Sequence, residues 1–249
     1  MEIKRMPNIT LTIDEFFDME DQEFAHGGEA VIFRTEKPNT LYKFFKDHNG
    51  NYIDMSDNKF KKILELYKLK LESAVRPLST ISVNGHLVGY EMTYNPDSVT
   101  LKNSGFDRQQ KIAVLKRTKE ILEYFRTQDI TYGDVKSNNI LIDRKTGTIE
   151  FCDMDNIRIG DYPMDLVAEY VQPFEKCDKI ELCDAYIHNL MTLQQLGFPN
   201  NYPTFREVAR TLAKDIYPPN FNKEAIPIFE SMVIPRKFTG EYVVQYVKK

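Results

Sequence analysis

Tyr132-Gly133-Asp134-Val135-Lys136-Ser137-Asn138-Asn139-Ile140-Leu141 sets an acid, a lysine and an amide at fixed offsets, just ahead of an apolar strand. A second acid, Asp153, follows 19 positions after Asp134, at the end of another expected strand. Carboxylate and amide oxygens such as those of Asp153 and Asn139 suit Mg2+, with phosphate oxygens and waters completing its octahedron. Lys136 can offset charge on a transferring phosphoryl group, since two unit charges ~4 Å apart interact by roughly 4 kcal/mol at an effective dielectric near 20. Asp134 can orient an acceptor hydroxyl and receive its proton, a general-base contribution of typically ~10²–10⁴-fold. The spacing suits a site that holds a nucleotide's terminal phosphate, its metal ions and an acceptor hydroxyl in one place.

Working outward, residues 1–22 form an acidic, partly apolar lead-in, expected as a short strand or helix on the first lobe. Residues 23–95 read as strands with one helix. Val31-Ile32-Phe33 and Leu41-Tyr42-Lys43-Phe44-Phe45 are aromatic and β-branched runs split by the turn signal Lys37-Pro38-Asn39. Strand parity puts Lys43 on one face with Leu41 and Phe45. Phe60, Ile63, Leu64, Tyr67 and Leu71 have helical spacing over 58–73. Ser79–Val83 and His86–Met92 flank Asn84-Gly85, a strong hairpin signal.

The character changes near Tyr94-Asn95-Pro96-Asp97. Residues 108–127 predict a helix with Ile112, Leu115, Ile121, Leu122 and Phe125 on its apolar face, opened by an Asp107/Gln110 capping box. Two short strands, 140–142 and 149–152, surround Lys145-Thr146-Gly147, and helices are expected near 180–196, 204–215, 223–233 and 239–247.

The loop at 132–141 resembles the catalytic loop of protein kinases, H-R-D-L-x-x-x-N, with Tyr132-Gly133 in place of His-Arg. Phe151-Cys152-Asp153-Met154-Asp155 falls on the D-F-G region, with Met154-Asp155 in place of Phe-Gly. The chain is thus similar to the protein kinase-like superfamily, in the form of a divergent bacterial or phage Ser/Thr protein kinase, over about residues 23–249. The resemblance implies an α+β, bilobal protein kinase-like fold. Residues 1–95 would be a lobe with a small antiparallel β-sheet and one helix, and residues 96–249 a mainly helical lobe, the two making one domain. It implies Asp134 and Lys136 as catalytic residues and Asn139 and Asp153 as Mg2+ ligands. Gly27 and Gly28, in Ala25-His26-Gly27-Gly28-Glu29-Ala30, would line the phosphates of ATP, where glycine lets backbone N–H groups approach oxygen. Lys43 would pair with the α- and β-phosphates and with an acid of the following helix, Glu65 or else Glu72. Met92 would hold the gatekeeper position of the nucleotide site, and backbone groups of Thr93 and Asn95 would meet the adenine edge.

Other positions stay more open. Asp155 is either a turn residue with local hydrogen bonds or an additional acid at the metal. Asp184 resembles the buried acid that braces such a loop, or is a surface charge. Pro173-Phe174-Glu175 resembles A-P-E, with Arg236 as its ion-pair partner. Gly133 removes the arginine that reads an activating phosphate, and residues 154–177 hold no Ser or Thr, only Tyr162 and Tyr170. Constitutive competence, or control by a partner, is the expectation.

The formal charge of −4 speaks against a general nucleic-acid binder. No apolar run approaches a membrane span and the charged amino terminus lacks a signal-peptide core, so a soluble cytoplasmic protein is expected. Cys152, Cys177 and Cys183 form no CxxC pair and read as buried thiols. Transfer from ATP to Ser/Thr hydroxyls of a protein substrate is the leading function. A small-molecule kinase of the aminoglycoside or choline type, echoed by Gly133-Asp134, and a nucleotide-binding pseudokinase acting as a binding module are the alternatives.

Overall fold

Asn84 and Gly85 both have positive φ, 50° and 84°, the torsions that a tight two-residue hairpin turn demands. They join two of the strands in the computed structural model, which describes residues 5–164, 183–195, 232–235 and 242–245. The chain divides into two compact units, Met1–Ser98 with Glu150–Asp155, and Val99–Ile149 with Asn156–Lys249.

The first unit is built on six strands: β1 (Asn8–Leu11), β2 (Glu23–His26), β3 (Ala30–Arg34), β4 (Thr40–Phe45), β5 (Pro77–Val83) and β6 (His86–Thr93). They lie in the order β1-β5-β6-β4-β3-β2. All neighbours run antiparallel except β1 and β5, which pair in parallel from Asn8↔Thr80 to Leu11↔Val83. The lead-in therefore supplies both a strand and a helix, α1 (Ile13–Phe17), begun by a reciprocal cap. Glu15 N–H donates to Thr12 Oγ1 at 3.2 Å, and Thr12 N–H donates to Glu15 Oε2 at 2.8 Å.

Both faces of this sheet are covered, as the near-continuous burial of β4 requires. On one face Leu41, Phe45, Tyr90 and Met92 pack with Ile63 of α2 (Asp57–Leu69). On the other, Val31, Phe33, Phe44, Ile81 and Val88 pack with Phe16 of α1. Phe16 meets Phe44 and Tyr52 edge-on at centroid distances of 4.9 and 4.6 Å; such contacts add roughly 0.5–1.5 kcal/mol each to the burial itself. Helix α2 starts at the Ser56 cap and stops where Lys70 turns left-handed, at φ 49°. Leu71 is buried beyond the helix end rather than on its apolar face.

Gly89 faces Phe44 across the β4–β6 ladder, and a Cβ there would collide with the Lys43 carbonyl oxygen. Two backbones cannot part without breaking ladder bonds. Gly89→Ala is therefore expected to cost about 1–3 kcal/mol, the usual range for overpacking, read as a lowered urea midpoint. An unchanged midpoint would show that the ladder yields freely.

The second unit contains α3 (Arg108–Thr127), whose Asp107/Gln110 cap has both reciprocal bonds, at 2.8 and 3.0 Å. Ile112, Leu115, Ile121, Leu122 and Phe125 form its buried stripe. Helix α4 spans Cys183–Gln195. Strand β7 (Ser98–Thr100) belongs to a three-stranded sheet in the order β10-β9-β7, with β9 at Ile140–Asp143 and β10 at Ile149–Phe151. β8 (Ile130–Thr131) pairs with β11 (Arg158–Ile159), and β12 (Met232–Pro235) with β13 (Tyr242–Gln245), both antiparallel.

The expected fold class needs correction. The described residues are mixed α+β and sheet-rich, with a six-stranded sheet in place of a small, purely antiparallel one. The part after residue 96 is not mainly helical: it shows two long helices among seven strands within the described residues. Of the helix expected over 239–247, the described residues 242–245 are strand β13, because Tyr242-Val243-Val244 is an aromatic and β-branched run that finds a partner in β12. Of the helix expected over 223–233, residues 232 and 233 belong to β12 and the rest lies outside the described residues. The one expected over 204–215 lies outside the described residues, as do Tyr170, Pro173-Phe174-Glu175, Cys177 and Arg236. No described helix is long and apolar enough to cross a membrane.

Candidate active site

In the first unit, β4 aims Lys43 at the carboxylates of residues 153 and 155. Lys43 Nζ donates to Asp155 Oδ1 at 2.5 Å and to Asp153 Oδ1 at 2.9 Å. Helix α2 brings Lys59 Nζ to the other oxygen of Asp155, at 3.3 Å. Tyr90, directly across the ladder from Lys43, donates its hydroxyl to Asp155 Oδ1 at 2.9 Å. The Lys59 ammonium also sits 4.5 Å from the Phe45 ring centroid, a cation–π contact.

The two carboxylates differ in access. The Asp155 side chain is 1% exposed and the Asp153 side chain 42%. Burial alone would push the Asp155 carboxyl up, but Lys43 and then Lys59 outweigh it and hold the group well below the usual carboxylate range. For Lys43, burial opposes the charge, yet Asp155, Tyr90 and Asp153 together raise its affinity for the proton well above the ordinary value. Burial, then Asp155, pushes the Tyr90 phenol up, so it stays a neutral donor. Asp153 has φ 57°, a left-handed torsion that Asp tolerates better than most residues.

Glu65 is not the partner of Lys43. It bonds Lys68 at 2.7 Å on the outer side of α2. The helix turns Lys62, Ile63 and Leu66 inward instead, so the face toward the sheet delivers cations, and the acid comes from position 155. Lys59 and Tyr90 are the residues that sequence reasoning missed, and Asp155, read there as a turn residue or an acid at the metal, is the partner of Lys43. The signal was the i, i+4, i+7 face of Lys59, Ile63 and Leu66, which excludes Glu65 from the core side.

At the β2–β3 hairpin, Gly27 N–H donates to the Ala30 carbonyl at 2.8 Å. Neither Gly27 nor Gly28 has a positive φ, and a Cβ at Gly28 would meet nothing within 4 Å. Met92 is buried in β6. Of the groups expected to meet adenine, Thr93 N–H donates to the Arg76 carbonyl at 2.9 Å, and the Asn95 carbonyl accepts from Ser98 N–H at 3.1 Å. Both are engaged within the chain.

The second unit gathers Asp134, Lys136 and Asn139. Asp134 Oδ2 accepts from Lys136 Nζ at 2.5 Å and from Asn139 Nδ2 at 2.9 Å. Asn139 Nδ2 also reaches the Asp134 carbonyl, at 3.2 Å, and Asn139 N–H closes the turn on the Lys136 carbonyl at 2.9 Å. Because Nδ2 makes these contacts, the amide oxygen of Asn139 is the end turned away from Asp134. The loop is held from behind by Asp184 on the first turn of α4, whose two oxygens accept from Tyr132 N–H and Gly133 N–H, each at 2.7 Å. Burial pushes the Asp184 carboxyl up to about 6 despite those two bonds. Gly133 has φ 78°, and a Cβ there would lie 2.6 Å from Met164. An arginine at 133 would be strained by that torsion and would need the Met164 side chain to shift.

Among the described residues no three His, Cys, Asp or Glu side chains gather into a metal cage. Mg2+ needs none: it usually keeps several waters and takes one or two protein oxygens beside substrate phosphates. The exposed Asp153 carboxylate in the first unit is a donor of that kind, as is the amide oxygen of the buried Asn139 in the second. No protein-family model matches the chain, and no curated protein matches it.

Proposed function

We propose that the chain is an ATP- and Mg2+-dependent phosphotransferase that moves the γ-phosphate to Ser or Thr hydroxyls of a protein. The observation that carries this reading is the Asp134 carboxylate with an ammonium and an amide on the same oxygen, on a loop tied by two backbone bonds to a buried acid. Phosphoryl transfer asks the protein chiefly for position and charge, and this loop supplies both. Asp134 orients the acceptor hydroxyl and takes its proton. Lys136 sets a positive charge beside the transferring group. In the second unit Asn139 would offer Mg2+ an amide oxygen, and in the first Asp153 would offer it a carboxylate; the ion when bound neutralises charge on the phosphate oxygens. Lys43 would meet the non-transferring phosphates.

Two further features support the reading. The fold gives no reason for glycine at 28, where a side chain would meet only open space; close approach of a phosphate gives one. Lys43 is held in place by carboxylates, as a phosphate-binding lysine on a flexible stem must be.

The test is mass spectrometry of the purified chain, with and without a generic protein, after incubation with Mg2+-ATP. Phosphate on Ser or Thr is the expected result. ATP turnover only with a small hydroxyl compound would move the chain to the small-molecule kinases. Nucleotide binding without transfer to any acceptor would make it a binding module.

A further inference from the structure

Lys43 has two carboxylate partners of opposite character, and this difference has a functional reading that rests on the proposed nucleotide site. Asp153 is the exchangeable partner: its side chain is 42% exposed, it contacts Lys43 through one oxygen, and a cation or solvent can draw it away. Asp155 is the fixed partner. It is 1% exposed, and both its oxygens are engaged, Oδ1 by Lys43 and Tyr90 and Oδ2 by Lys59. All five side chains belong to one compact unit. The local charges balance at zero, two ammoniums against two carboxylates. Once Asp153 turns to a metal ion, the remaining Lys43–Asp155–Lys59 group carries a net charge of +1.

We infer that Asp155 is the positioning residue for Lys43, in place of any acid on α2, and that Lys43 and Lys59 held on its two oxygens form a paired cationic reader for the phosphates of a nucleoside triphosphate. Lysine is a flexible point charge with three rotatable donors. The Asp155 carboxylate fixes one donor of Lys43, and a second passes from Asp153 to the ligand once Asp153 turns to a cation. Lys59 is suited to the second place because α2 anchors it, the Phe45 ring supports its ammonium, and its Asp155 contact at 3.3 Å is the longer of the two. Glu65 cannot substitute, being paired with Lys68 and 36% exposed.

The test compares Mg2+-ATP with adenosine, both by calorimetry on the full chain. Asp155→Asn keeps an oxygen for Tyr90 and the shape of the side chain but removes the charge. It is expected to weaken Mg2+-ATP binding by about 10–10²-fold, the usual weight of one hydrogen bond to a charged group, and to leave adenosine affinity unchanged. A purely structural role for Asp155 would change both ligands together, or neither. Where Asp155→Asn alone fails to fold because two buried ammoniums lose their partner, the double variant Lys59→Met with Asp155→Asn keeps the charge balance, and the same loss of ATP selectivity is expected. Wild-type affinity for Mg2+-ATP in either folded variant overturns the inference and leaves the nucleotide reading standing. A wild-type chain that binds no Mg2+-ATP overturns both.

Discussion

Replacing Asp134 by alanine is expected to lower phosphoryl transfer by about 10²–10⁴-fold, the usual weight of a general base, while most of the Mg2+-ATP affinity remains. The side chain is 35% exposed, so its removal leaves no buried cavity, and the loop keeps its two backbone bonds to Asp184. Lys136 and Asn139 lose a shared acceptor, which loosens the loop's polar tip but not its base. Asp153→Asn should fail differently. It keeps the shape of the side chain but removes the charge that would bind the metal, so Mg2+-nucleotide affinity falls first and transfer follows. Initial rates over a range of ATP and Mg2+ concentrations separate the two: Asp134→Ala lowers kcat, and Asp153→Asn raises the Mg2+ and ATP requirement. Equal activity in both variants would reject these roles.

Local signals in the sequence were dependable where one short-range interaction decides the outcome. Asn84-Gly85 selects a turn by torsion alone, and Asp107 with Gln110 caps α3 through bonds three residues apart. Lys43 on a face with Leu41 and Phe45 follows from strand parity, and these two pack in one core cluster. The end of the chain was misread because Tyr242-Val243-Val244 was weighed without its partner. A short apolar run is ambiguous between helix and strand until a neighbouring strand is known, and β12 lies about seven residues earlier with no hairpin signal between.

The site shows the same division. Asp134, Lys136 and Asn139 are linked by bonds spanning five residues or fewer, so their spacing already contained their geometry. The partner of Lys43 lies 112 residues away. The local pattern of α2 sets Glu65 aside, but none chooses among Glu72, Asp153 and Asp155 over such a separation. The choice depends on which face of α2 turns inward, and that is settled by packing of Ile63 and Leu66, not by charge. Gly133 is a further case. Its replacement of an arginine reads in sequence as a lost regulatory contact, whereas in the structure a φ of 78° already favours glycine there.

The pH dependence of stability is expected to be nearly flat between pH 4 and 6.5, because two buried groups of α4 oppose each other. Stability rises with pH wherever the unfolded chain binds more protons than the folded one. Burial pushes the Asp184 carboxyl up from 3.8 to about 6. Between those values the folded chain holds a proton that the unfolded chain has released. Asp184 therefore adds stability below about pH 4 that is lost as pH rises through 6, about 3 kcal/mol in all at ~1.4 kcal/mol per unit. His188, whose ring bonds the Leu115 carbonyl at 3.1 Å, is pulled down by burial from 6.5 to about 4. Its folded ring stays neutral where the unfolded one takes a proton, so its contribution is present above pH 6.5 and lost as pH falls through 4, also by about 3 kcal/mol. The single variants uncover the two slopes. His188→Gln keeps a donor for the Leu115 carbonyl and removes the titration, so urea midpoints should fall as pH climbs from 4 to 6. Asp184→Asn offers one oxygen to two N–H groups and turns an NH2 against the other, so it is less stable throughout, but its midpoints should rise over the same range. Parallel pH profiles for the wild type and both variants would show that neither group changes its proton affinity on folding.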